Sequence, residues 1–104
     1  MLIQINTDKN IQGDVRTNDY FSGVFENALE RFGQHITRLE AHLSDGNSQK
    51  EGPNDKRCML EARLKGLQPI VVTHKAENLD LAVKGAADKM KNTLETTIGK
   101  MRDY

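Results

Sequence analysis

Lys56-Arg57-Cys58-Met59-Leu60-Glu61-Ala62-Arg63-Leu64-Lys65 alternates: Cys58, Leu60, Ala62 and Leu64 take every second position, and Arg57, Met59, Glu61, Arg63 and Lys65 fall between them. Successive side chains of an extended strand point to opposite faces, so this stretch has an apolar side and a charged side. Ile36 to Ser44 repeats the pattern, with Leu39, Ala41 and Leu43 on one face and Arg38, Glu40 and His42 on the other. Strands of this kind build an antiparallel sheet with one dry and one wet face. The helices of such a fold must lie together on the dry face.

Between these strands, Asp45 to Asp55 holds only turn formers and charges, which reads as a long mobile loop rather than a tight hairpin. Downstream, Gly66 and Pro69 bracket a turn into a further strand, Ile70 to Lys75. Glu77 and Asn78 then open a helix from about Asn78 to Arg102. Along it Leu79, Val83, Ala86, Met90, Leu94, Ile98 and Met101 form one stripe at spacings of three and four. About 25 residues make ~37 Å of helix, longer than four strands cover, so its end is expected to project past the sheet or to meet a partner. Upstream, Leu2 to Asn6 reads as a short strand with Ile3 and Ile5 on one side, and Asn10 to Asn18 as a loop. Phe21, Phe25, Leu29 and Phe32 mark a helix from about Asp19 to Gln34, capped by Asn18 or Asp19. The order is βαβββα: an α+β fold, a four-stranded mixed sheet with two helices packed on one face, like a double-stranded-RNA-binding domain. The first helix is the crossover of a βαβ unit, so the first two strands run parallel with a right-handed connection. The last three strands form an antiparallel meander.

The 104 residues carry 15 Lys+Arg against 15 Asp+Glu, one Cys, no Trp and 37% hydrophobic residues, which describes one small soluble domain spanning 1–104. Such a chain buries roughly 60–65% of its unfolded surface, enough for one core. A formal charge of zero gives no field of one sign to draw it onto nucleic acid or membrane, so such binding must come from local patches. The longest apolar run, Pro69-Ile70-Val71-Val72, is far short of the ~20 residues of a membrane-spanning helix. The start, MLIQINTDKN, does not read as a secretory signal. Cys58 alone makes no internal disulfide, which fits a cytoplasmic protein.

The element order, the stretch Gly66-Leu67-Gln68-Pro69-Ile70-Val71-Val72 and the run Leu79-Asp80-Leu81-Ala82-Val83-Lys84-Gly85-Ala86-Ala87-Asp88-Lys89-Met90 resemble the ribosome hibernation-promoting factors and ribosome-associated inhibitors. The family's last helix has an apolar A-I pair, a small residue and then D-K-L; Ala82-Val83, Ala86 and Asp88-Lys89-Met90 stand in that order here. The resemblance implies a stress or stationary-phase protein that binds the small ribosomal subunit in the channel used by messenger and transfer RNA. It also implies no chemistry and no cofactor, only steric exclusion with basic residues on ribosomal RNA phosphates. The chain departs from the family pattern in its helices. The first offers only Arg31 against Asp19, Glu26 and Glu30, Thr96 and Ile98 stand where the family has lysines, and Asp80 or Leu81 replaces an aromatic residue.

Counted by segment, residues 1–35 hold three basic and five acidic groups, 36–75 seven and five, and 76–104 five and five. In the last helix Lys84, Lys91 and Glu95 share one flank, and Lys89 and Lys100 lie on the next. With Lys65 and Lys75 approaching that flank, five lysines would meet phosphates. Lys84, Lys89 and Lys91 are the first candidates for RNA contact, and Lys65, Lys75 and Arg63 the second. The competing reading is a solvated helix face whose lysines pair with Asp80, Asp88 and Glu95, an arrangement that adds little stability. Arg38, Arg57 and Arg63, with Glu40 and Glu61, are expected to make cross-strand opposite-charge pairs on the wet face. They serve either as a solubilising ladder or as a surface for RNA phosphates or a ribosomal protein, with Met59 the one apolar residue among them. His42 points out and Cys58 in, so the two cannot share a metal ion; Cys58 reads as a core residue and His74 as a core-edge residue. No Ser-His-Asp order, Gly-rich phosphate loop or His-Glu-x-x-His points to an enzyme. Two other classes are compatible with the residues: a protein-interaction module of the same fold with little RNA affinity, and a small-molecule or redox sensor centred on Cys58. Oligomeric state is open.

Overall fold

The computed structural model describes residues 1–8, 11, 14–45 and 56–102, the last three as backbone only. Its elements are β1 (Leu2–Thr7), α1 (Val15–Leu29) followed by a 3-10 turn (Glu30–Phe32), β2 (Ile36–Asp45), β3 (Lys56–Leu64), β4 (Ile70–Ala76) and α2 (Leu79–Arg102). The strands lie in the order β1-β2-β3-β4, with β1 and β2 parallel, as the βαβ crossover predicts, and the other pairs antiparallel, as the alternation predicts. The expected loop from Asp45 to Asp55 lies, after Asp45, outside the described residues.

Alternation sets the dry face. Ile3, Leu39 and Ala62 are register partners across β1, β2 and β3, as are Ile5, Ala41 and Leu60 in the next row. Leu39, Ala41, Leu43, Cys58, Leu60 and Ala62 are buried there against Phe21, Phe25 and Leu29 of α1 and Val83, Ala86, Met90 and Leu94 of α2. Each large side chain so buried contributes about 1.5–3 kcal/mol of apolar transfer. The buried side of α2 is wider than one stripe because Ala82 and Ala87 also face inward, and it stays buried as far as Ile98. An overhang of α2 therefore concerns at most the turn after Ile98, whose side chains beyond Gly99 are not described.

Helix α1 starts four residues earlier than its phenylalanine stripe indicates and ends earlier too. Asp14, extended at φ −123° and ψ 168°, caps it by accepting a 2.7 Å bond from the Thr17 amide, so the cap is neither Asn18 nor Asp19. That amide holds the Asp14 carboxyl below its ordinary pKa. Val15 in the first turn is 76% exposed, so the early turn carries no apolar signal. At the other end the coil tightens after Leu29. The Gly33 amide reaches the Glu30 carbonyl at 3.2 Å and the His35 amide the Phe32 carbonyl at 2.9 Å, which keeps Phe32 in the core and releases the chain into β2. Gly66, at φ +73°, turns β3 toward β4, and Asn78 caps α2 by accepting from the Leu81 amide at 2.8 Å. Where α2 crosses β4, a Cβ on Gly85 would overlap the His74 ring, so glycine sets the approach of helix to strand. His74 is half-buried at the core edge.

Candidate nucleic-acid interface

On the wet face the strands align like charge with like. Arg38 stands opposite Arg63, Glu40 opposite Glu61, and Arg57 between Ser44 and Lys75. The expected cross-strand opposite-charge pairs are therefore absent among the described residues. Neutralisation runs along each strand instead: Arg38 Nε lies 3.0 Å from Glu40 Oε1, Arg63 Nε 4.0 Å from Glu61 Oε1, and His42 Nε2 3.4 Å from Glu40 Oε2. Arg38 also donates to the Gln4 side chain on β1. The reason is register, because β2 and β3 carry the same alternation of basic and acidic residues and the observed pairing sets them in phase. Met59 is half-buried here and is not the sole apolar residue, since Leu2 and Val71 share the face at 63% and 55% exposure.

The helix lysines occupy two sides of α2. Lys84 and Lys91 lie on the flank toward α1. There Lys84 Nζ sits 3.0 Å from Asp80 Oδ2, and the Tyr20 hydroxyl donates to Asp80 Oδ1 at 2.8 Å. The Tyr20 hydroxyl, then Lys84, hold the Asp80 carboxyl below its ordinary pKa, and the Asp80 carboxylate raises that of Lys84. Farther along the same flank Arg31 pairs with Glu95 at 3.4 Å. Lys89 points about 140° away around the helix and donates to the Thr73 carbonyl of β4 at 2.8 Å. Among the described residues, of the partners foreseen for these lysines only Asp80 takes that role. Lys91 is half-buried and makes no hydrogen bond or ion pair among the described residues.

Lys65 and Lys75 do not approach the Lys84 flank. Lys75 shares the parity of Val71 and Thr73 and faces the wet side, opposite Arg57, while Lys65 follows the far end of β3, its amide bonded to the His35 carbonyl at 3.1 Å. Antiparallel pairing of β3 and β4 puts these two lysines at opposite ends of the sheet. The six candidates fall into three places: Arg63 and Lys65 at one end, Lys75 at the other, and Lys84, Lys89 and Lys91 on the helix layer behind. Sequence parity had put Arg57 on the wet face, and only the register shows it directly opposite Lys75.

Other features narrow the chemistry. A cleft of about 270 Å³ between the 3-10 turn and the end of α2 is lined by Arg31, Phe32, His35, Glu95, Ile98 and Gly99, and the Arg31–Glu95 pair belongs to its lining. It is smaller than a usual small-molecule pocket. Cys58 is fully buried and its thiol is pushed up to about 12 by that burial, so it supplies no thiolate at neutral pH and offers no accessible sensor. Among the described residues no three His, Cys, Asp or Glu side chains come together as metal ligands, and no helix is long and apolar enough to cross a membrane.

Comparison with known proteins places this architecture. The N-terminal domain of Protein Y from Thermus thermophilus superposes with a TM-score of 0.74 at 16% identity, covering 93% of this chain and 99% of that one. A ribosomal subunit interface protein from Coxiella burnetii superposes with a TM-score of 0.71 at 14% identity, covering 95% and 99%. Identities this low show a shared fold. No curated protein matches by sequence. The family model described as sigma 54 modulation protein / S30EA ribosomal protein, however, matches residues 4–102. With nearly the whole chain so matched, it belongs to the sigma 54 modulation protein / S30EA ribosomal protein family, a family of ribosome-associated hibernation and modulation proteins.

Proposed function

We propose that this chain is a cytoplasmic hibernation factor that binds the small ribosomal subunit under stress or in stationary phase and sterically blocks the channel for messenger and transfer RNA. The observation that carries the reading is the family match over residues 4–102. A body of 50 × 25 × 19 Å with one continuous core suits a plug that works by occupying space. Ribosomal RNA phosphates are the natural partners of its cations: Lys91, Lys65 and Lys75 as they stand, and Arg63, Lys84 and Lys89 once RNA competes with Glu61, Asp80 and the Thr73 carbonyl.

Sedimentation of the purified chain with isolated small and large subunits, at low and high salt, tests this. The chain should travel with the small subunit at low salt and be shed as salt rises, and the Lys84→Glu/Lys89→Glu/Lys91→Glu variant should stay at the top of the gradient. Binding to the large subunit alone overturns the small-subunit assignment. Unchanged binding of the triple variant removes the helix lysines from the interface. The engagement of Lys84 and Lys89 inside the fold favours a second reading, a protein-interaction module with little RNA affinity. Recovery of a non-ribosomal partner with no ribosomal RNA would support that reading instead.

A further inference from the structure

We propose that Arg57 and Lys75, with the Ser44 hydroxyl beside them, form a phosphate clamp on the open sheet face that grips an RNA backbone. The choice of RNA as the anion rests on the ribosome-binding reading above. Register places Ser44, Arg57 and Lys75 in one row across β2, β3 and β4, with all three side chains on the wet face. Arg57 and Lys75 are exposed, and none of the three makes a side-chain hydrogen bond or ion pair among the described residues.

Like charges directly opposite each other on adjacent strands destabilise a sheet. The same face holds an internal comparison. Arg38 and Arg63 are opposed in the same way, yet each has a carboxylate two residues along its own strand. Arg57 and Lys75 make no such pair among the described residues: Glu77, two residues past Lys75, lies beyond the end of β4, exposed and without an ion pair. The uncharged pair Met59 and Thr73, flanked by His42, separates them from the Glu40–Glu61 row. Four residues of strand put Glu61 about 13 Å from Arg57, beyond the Debye length of about 8–10 Å at ordinary salt. Among the described residues no carboxylate pairs with these two cations, which leaves them open to an outside anion. A guanidinium fork, an ammonium and a hydroxyl donor supply what phosphate oxygens accept.

The test is binding of a labelled single-stranded RNA oligonucleotide, and separately of purified small subunits, at about 50 mM and about 200 mM salt. Each lost single-strand phosphate contact lowers the slope of log affinity against log salt by roughly 0.7. Arg57→Gln/Lys75→Gln should lose roughly 1.4 of slope and bind RNA about tenfold more weakly at low salt, while Arg57→Lys keeps most of the slope. Thermal melting confirms that each variant is folded. The same affinity and slope in the double variant overturn the clamp, and so does loss of binding to polyglutamate with RNA binding intact, which would mark an acidic protein partner. Small-subunit binding that persists with an unchanged slope removes the clamp and leaves the ribosome reading standing. A clamp-dependent slope on the oligonucleotide, in a protein that ignores small subunits, keeps the clamp and removes that reading.

Discussion

A methyl group on Gly85 would overlap the His74 imidazole, so two residues that sequence periodicity treats as unrelated set how closely α2 lies on β4. Glycine inside a helix costs about 0.5–1 kcal/mol relative to alanine, and the chain bears that cost to keep the contact. Gly85→Ala should therefore lower stability by about 1–3 kcal/mol, the range for overpacking, in urea unfolding. In a chain already carrying His74→Ala the same change should stabilise, because only the helix preference remains. Destabilisation of similar size in both backgrounds would show that the ring is not what the methyl meets. At the wet end of the same strand, Lys75→Glu turns a like-charged pair with Arg57 into an opposite one. It should raise unfolding stability by about 0.2–1 kcal/mol while weakening RNA binding. Lower stability in a folded variant would mean the two cations do not repel in the native sheet.

At the scale of elements, α1 and α2 are joined outside the core by the Tyr20–Asp80–Lys84 cluster. The Asp80 carboxyl titrates below its ordinary value in the folded chain, so its stabilisation is complete above the unfolded pKa of about 3.9 and is lost as pH falls through the folded value. Lys84 is shifted upward, so its share holds below about 10.4 and is lost as pH rises through the folded value. Melting temperature should fall on the acid side, and Asp80→Asn should flatten part of that fall; an unchanged acid limb would remove Asp80 from the account. The strands were legible because one alternation in 36–44 and 56–65 fixes both dry face and pairing sense, and the phenylalanine stripe located the body of α1. Its start was not legible, since Val15 is exposed and the Asp14 cap is recognised only by the bond it accepts. Register was not legible either. Two strands with the same charge alternation satisfy their dry faces whether like or unlike charges end up opposite, and packing decides between them.

For the whole molecule, a net charge of zero is a sum over surfaces that behave differently. On the open sheet most carboxylates are tied to arginines on their own strands, and on the helix layer Lys84 and Arg31 are tied to Asp80 and Glu95. Among the described residues, what stays available is the Arg57–Lys75 row at one end of the sheet, Lys65 at the other, Arg16 in the first turn of α1 and the half-buried Lys91. The family's positions were readable from the sequence, but which of these cations are already spent required the partners to be seen in space. The proposed exclusion from the small-subunit channel is open to a competition experiment. Small subunits are loaded with the chain, then challenged with messenger RNA and labelled initiator tRNA, and retained label is measured. Label retention should fall as the chain saturates the subunit and recover when the chain is washed off at high salt. Full retention of initiator tRNA on subunits that still hold the chain would contradict the exclusion.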